Sequence, residues 1–165
     1  MEIIVLFGFP AAGKTFVGKI LQKYYGYYLH DGDINLPETM KNAIKTQSLI
    51  TDTMRDIFFQ NIIKSCKQLK TRHKKIVIPQ TFIKEKYREL FIKEIPKVKL
   101  ILVQTNTLLR ETRLVKRKSY PLDLKYARKM CLNFEAPHIS HSILDNNSNG
   151  EKSVKKQLHL LLNSD

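Results

Sequence analysis

Eight consecutive residues constrain this chain more than anything else in it. Gly8-Phe9-Pro10-Ala11-Ala12-Gly13-Lys14-Thr15 fits G-x-x-x-x-G-K-[ST]. Before it runs Ile3-Ile4-Val5-Leu6-Phe7, an apolar stretch rich in β-branched residues that predicts a buried parallel strand. After it, Phe16, Val17, Ile20, Leu21 and Tyr24 recur at helical spacing. A loop between strand and helix is the context a phosphate-binding loop requires, and it separates this match from a chance Gly-Lys-Thr in a tight turn. Glycines let backbone N–H groups converge on a phosphate, and the following helix adds its positive end. Lys14 is placed to reach the β- and γ-phosphates and the Thr15 hydroxyl to hold Mg²⁺, so the stretch implies a bound nucleoside triphosphate.

The rest of the chain predicts a three-layer α/β/α domain around a parallel sheet of about five strands. Its 165 residues suffice for a single domain with a real core. Gly26 reads as the stop of the first helix, and residues 27–30 as a short second strand ending in Asp31-Gly32-Asp33. In an open parallel sheet, chemistry collects at the carboxyl ends of strands, so these two acids fall beside the phosphate loop. Asp31 is then placed near the metal and Asp33 to accept a proton from a substrate hydroxyl. On its own, Asp-Gly is an ordinary acidic turn.

Residues 37–44 and 51–69 read as two helices, part of an acceptor-binding insertion over about residues 35–72. Asp52 and Arg55 share a face of the second, either as a surface pair or lining an acceptor pocket. Residues 76–78 give a third strand closed by Pro79, with Thr81 at its carboxyl end and a helix carrying Lys84, Tyr87 and Arg88 beyond. Residues 98–103 give the fourth strand, 139–144 the last, and 154–162 a closing helix. Between them, Arg110, Arg113, Lys116, Arg117 and Lys118 mark a basic segment, about 106–122, that reads as a lid closing over the triphosphate. His138 and His141, with Glu135 nearby, have weak metal spacing because residues three apart on a strand face opposite sides.

Charge and composition narrow the class. The net charge is +14, and residues 64–129 hold 20 Lys plus Arg against 5 acids. Such a field attracts nucleotide phosphates, an acidic substrate or nucleic acid, or else it is a solvated basic face. No run of about 18 apolar residues is present, so no membrane span is expected. The strand that starts at the N-terminus leaves no room for a signal peptide, and Cys66 and Cys131 read as reduced thiols, which together suggest a cytoplasmic protein.

Strand, phosphate loop, Asp-Gly-Asp, helical insertion, arginine-rich lid and closing helix together resemble the small P-loop kinases of the shikimate kinase and gluconate kinase group, with gluconate kinase the nearer. Asp31-Gly32-Asp33 followed by Pro37, and Asp52 with Arg55, are similar to that family's acceptor motifs. Thr81, Lys84, Tyr87, Arg88 and Glu89 resemble its Ser-x-x-Lys-x-x-Tyr-Arg-Asp. Glu111-Thr112-Arg113-Leu114-Val115-Lys116-Arg117 resembles its lid, and Phe134-Glu135-Ala136-Pro137 its Leu-x-x-Pro.

The resemblance implies transfer of the γ-phosphoryl group of ATP, with Mg²⁺, to gluconate or a related sugar acid or polyol. It implies roles for Lys14, Asp33 and Arg117 in catalysis. It implies that Gly8 to Thr15, Arg113, Arg117 and Pro137 hold ATP, joined by the 145–150 loop at the adenine. Asp33, Arg55, Thr81 and Arg88 would hold the acceptor, and Thr15 and Asp31 the metal. The family's His before Pro37 is Leu36 here, its Gly-His-Phe is Ser119-Tyr120-Pro121, and its Ser is Thr81. Replacing an imidazole by Leu36 removes a partner for a polyol and points toward another sugar acid or small hydroxylated anion. Two rivals stand beside this: a nucleoside or nucleic-acid 5′-hydroxyl kinase, and a non-catalytic nucleotide-binding protein on a kinase scaffold. Oligomeric state is not encoded in any of these features.

Overall fold

The computed structural model describes residues 1–116, 124–148 and 150–163. Five strands, β1 (Glu2–Phe7), β2 (Tyr28–Leu29), β3 (Lys75–Pro79), β4 (Val98–Gln104) and β5 (Ser142–Asp145), form one parallel sheet in the order β2-β3-β1-β4-β5. Around it lie α1 (Lys14–Tyr25), α2 (Glu38–Lys45), α3 (Asp52–Leu69), α4 (Glu85–Glu94), α5 (Thr107–Lys116), α6 (Leu124–Leu132) and α7 (Glu151–Asn163). Among the described residues, no helix is long and apolar enough to cross a membrane.

The central strand explains the layers. Every residue from Ile3 to Phe7 is buried, because β1 is covered on both faces. Side chains alternate across a strand. Ile3, Val5 and Phe7 therefore join Phe58, Phe59, Ile62, Phe82 and Phe91 from α3, α4 and the segment before α4. Ile4 and Leu6 point the other way, into Val17, Ile20 and Leu21 of α1 and Val154 and Leu158 of α7. Each such side chain contributes about 1.5–3 kcal/mol on burial.

Helix boundaries follow local chemistry. Gly26 ends α1 in the left-handed conformation, φ 72°, donating its N–H to Leu21 O. Thr51 caps α3 by accepting from Met54 N at 3.2 Å. Three expectations shift. Phe16 and Tyr24, which share the helical spacing of the apolar residues of α1, are exposed: Phe16 lines a cleft and Tyr24 reaches Glu151 of α7. The last strand begins at Ser142 rather than 139, because the His138 and Ile139 amides donate to Glu85 Oε1 at 2.8 and 2.7 Å instead of entering the ladder. Helix α6 had no expected counterpart. It buries Ala127 against Ala11 and Leu114, so its apolar stripe is too thin to stand out.

Candidate active site

All five strands deliver residues to the same edge of the sheet, at their carboxyl ends. The loop after β1 is bent by Gly8 (φ 140°), Ala11 (φ 60°) and Gly13 (φ 95°). A Cβ on Gly8 would lie 2.5 Å from Val103 O, and one on Gly13 would lie 2.1 Å from Asn146 Nδ2. Glycine at both positions is therefore required by conformation and by space. Lys14 folds back along the loop, its Nζ donating to Gly8 O at 3.0 Å and Phe9 O at 2.8 Å.

Behind the loop, the Ala12 carbonyl is gripped from three sides. Asn146 Nδ2, after β5, donates to it at 2.9 Å, and Arg113 Nη1, on α5, at 3.3 Å. The Thr105 hydroxyl, after β4, lies 2.9 Å away and is shared with Gln104 O. In a trans peptide the carbonyl and the next N–H point in opposite directions. Holding Ala12 O to the rear therefore turns the Gly13 N–H forward, toward the cleft that Gly13 lines. Arg113 also donates to Asn146 O at 2.9 Å, and burial pushes its pKa down. Thr105 was not singled out from sequence, and Asn146 was read only as part of the 145–150 loop expected at the adenine. Each is a short polar residue just past a strand, a weak signal until the topology places it behind the phosphate loop.

In front of the loop lies a cleft of about 680 Å³. Lys14, Thr15, Asp31, Asp33, Arg55 and Thr81 all line it, so residues from four separate segments converge on one space. Asp31 caps a 3-10 turn over Gly32–Asn35 by accepting from Asp33 N at 3.0 Å. Asp33 Oδ1 accepts from Gln80 Nε2 at 3.0 Å. Gln80 Oε1 in turn accepts from Thr81 N at 2.7 Å, which fixes the amide so that its NH₂ faces Asp33. A Cβ on Gly32 would stand 2.9 Å from Gln80 Nε2, so the Gly of Asp-Gly-Asp makes room for this contact.

Arg55 Nη1 pairs with Asp52 Oδ1 at 3.1 Å, and the arginine lines the cleft while Asp52 does not. Lys84 Nζ takes both Asp52 oxygens, at 3.0 and 3.2 Å. With Lys84 first and Lys86 and Arg55 behind it, the Asp52 carboxyl is held below its usual range.

Arg88 departs from its expected place. It is fully buried, lies outside the cleft wall, and donates to Phe82 O at 3.0 Å, Ile83 O at 3.2 Å, Glu135 O at 2.7 Å and the Glu85 carboxylate. These bonds tie the start of α4 to the 134–139 segment. Arg110, expected on the lid face, is also buried, bonded to Thr105 O, Thr107 Oγ1 and Cys131 Sγ, with its guanidinium 4.7 Å from the Phe9 ring. Pro137 lies in the 133–141 segment, outside the cleft wall. Arg117 and the later part of the expected lid fall outside the described residues. Helix α6 supplies Tyr126, Lys129 and Met130 to the cleft. Among the described residues, no group of three His, Cys, Asp or Glu could hold a metal.

No family model matches the chain, and no curated protein matches it. Solved structures do. A sugar kinase from Janibacter sp. HTCC2649 superposes with TM-score 0.84 at 15% identity, over 98% of this chain and 94% of that one. A gluconokinase from Sinorhizobium meliloti 1021 gives TM-score 0.79 at 18% identity, over 97% and 93%. A shikimate kinase from Acinetobacter baumannii in complex with shikimate gives 0.61 at 22%, over 98% and 93%. The chain has the P-loop kinase fold.

Proposed function

We propose that this chain is an ATP-dependent phosphotransferase that moves the γ-phosphoryl group to a hydroxyl of a small anionic acceptor. The observation that carries this is the shared cleft: the phosphate loop with Lys14 and Thr15 opens onto the same space as Asp31, Asp33 and Arg55. Likeness to sugar and shikimate kinases in fold supports the reaction class, and their acceptors are the natural first candidates.

The chemistry follows from those residues. Backbone N–H groups of the loop and the start of α1 receive the phosphates, and Lys14 exchanges its carbonyl partners for phosphate oxygens. Asp33, oriented by Gln80, accepts the proton of the acceptor hydroxyl. The hydroxyl oxygen bonds to the γ-phosphorus, the bridging β–γ P–O bond breaks, and its electron pair stays on ADP. Arg55 receives the acceptor's anionic group. Arg113, expected to contact ATP, instead supports the phosphate loop from behind through Ala12 O and Asn146 O and lies outside the cleft wall; Arg117 would meet the phosphates. We assign Arg88 a positioning part instead of a place on the acceptor.

Thr15 and Asp31 are hard oxygen donors in one cleft, which suits Mg²⁺, an ion that takes few protein ligands and shares phosphate oxygens. When bound it supplies charge neutralisation between the phosphates.

The test is an ADP-release screen with Mg²⁺-ATP across sugar acids, polyols, shikimate, nucleosides and short 5′-hydroxyl oligonucleotides. Wild type should respond to an acceptor. Lys14→Ala should lose on the order of 100-fold or more, as expected for removing a charged group aimed at the transition state. Equal turnover by the variant would reject the assignment.

A further inference from the structure

The wall opposite the phosphate loop has an unexpected chemistry. The segment 36–58 presents Leu36, Met40, Ile44, Leu49, Ile50 and Phe58 to the cleft, and only Ser48 and Arg55 as polar groups. Ile83, Tyr126 and Met130 extend the apolar surface from α6 and the segment before α4. Leu49, on the connection between α2 and α3, is 71% exposed. Gln47, two residues earlier, holds φ 54° where α2 turns toward α3.

This wall is wrong for a polyol. Gluconate carries a hydroxyl on nearly every carbon, and each one buried without a partner costs about 1–3 kcal/mol. It is also wrong for a nucleobase, whose edge carries several donors and acceptors against only the Ser48 and Tyr126 hydroxyls of this surface. It suits hydrocarbon. Arg55 supplies the single charged anchor of that wall, and its charge survives its pairing because Lys84 neutralises Asp52 from the other side.

We infer that the acceptor is an amphiphilic hydroxy acid: a hydrocarbon body against the 36–58 wall, a carboxylate on Arg55, and one hydroxyl presented to Asp33. This rests on the kinase reading for its chemistry, and the transferred group and proton follow the balance given above.

The test uses the whole protein and two readouts, with ω-hydroxyalkanoates from butanoate to octanoate as the probe series. Gluconate, the matching alkanols and nucleosides serve as comparison arms. Calorimetry on protein loaded with a non-hydrolysable ATP analogue measures binding, and ADP release measures transfer. Kd should fall about fourfold per added methylene until the wall is filled. Gluconate should bind at least about tenfold weaker than 6-hydroxyhexanoate, which has the same carbon count. Leu49→Ser should flatten the series, and Arg55→Gln should weaken the acids about tenfold while sparing the alkanols. A flat series, or tighter binding of gluconate or a nucleoside, overturns the inference, as does absence of binding by every hydroxyalkanoate. The two readings separate cleanly. Turnover of gluconate alone keeps the kinase and removes this acceptor class. Steep binding of the series without transfer keeps the acceptor class and removes the kinase.

Discussion

At the scale of single residues, the site is defined as much by what holds the reactive groups as by those groups themselves. Asp33 was legible from Asp-Gly-Asp, but the Gln80 amide that aims it was not, because a glutamine after a strand carries no pattern. Loss of that contact should act on turnover. Gln80→Leu should lower kcat about tenfold, the order of a proton acceptor held slightly out of line, with KM for ATP unchanged. A raised KM for ATP with unchanged kcat would contradict this. Asn146 bears on the proposed nucleotide site. Asn146→Ala removes a 2.9 Å bond to Ala12 O and should weaken ATP binding about fivefold to tenfold in calorimetry, in line with one buried hydrogen bond. Acceptor KM should not move.

At the scale of elements, the conspicuous signals were those that physics makes redundant. β1 is apolar from Ile3 to Phe7 because both its faces are buried there, and α1 was announced by the loop before it and by Gly26 after it. Elements held by single polar contacts were harder to read. β5 starts late because Glu85 takes the amides before it, and α6 buries little more than Ala127. Arg88 and Arg110 look in sequence like ligand-binding cations, yet Arg88 knits three backbone carbonyls and Arg110 joins Thr105 O to Thr107 Oγ1 and Cys131 Sγ. A stack runs through them: Arg110 over Phe9, Phe9 against Phe134 at 4.4 Å, and Arg88 over Phe134 at 4.8 Å. It joins the phosphate loop to the 134–139 segment. Spacing cannot distinguish a buried arginine from an exposed one; the surrounding layers decide it.

The Glu85 node gives this scale its prediction. Burial pushes its carboxyl up, but the Arg88 guanidinium and the Ile139 and His138 amides outweigh that and hold it below the ordinary 4.5. A lowered folded-state pKa stabilises above the unfolded value, and that contribution is lost as pH falls through the folded pKa. Glu85→Gln should therefore cost about 2 kcal/mol at pH 7, since it unpairs a buried cation. The gap to wild type in urea midpoint should close as pH drops from the ordinary 4.5 through the lowered folded-state pKa. A gap independent of pH would contradict the ionic account.

At the scale of the whole molecule, the sheet divides the charge. Lys70, Arg72, Lys74 and Lys75 sit where α3 turns into the amino end of β3, while the cleft lies at the carboxyl ends. Screening at physiological salt acts over about 8 Å, so that far cluster does not neutralise the triphosphate directly. Among the described residues, the cations that meet the cleft are Lys14, Lys19, Arg55 and Lys129. The functional claim thus rests on a small convergence at one edge of the sheet.

The most direct test of that claim is phosphorus NMR of a reaction with Mg²⁺-ATP and the best acceptor from the screen, run with wild type and Asp33→Ala. The account predicts that, as the γ-phosphate signal fades, ADP and a phosphate monoester appear in equal amounts with wild type, and that Asp33→Ala leaves ATP intact. Release of inorganic phosphate alone, or full monoester formation by Asp33→Ala, would contradict it.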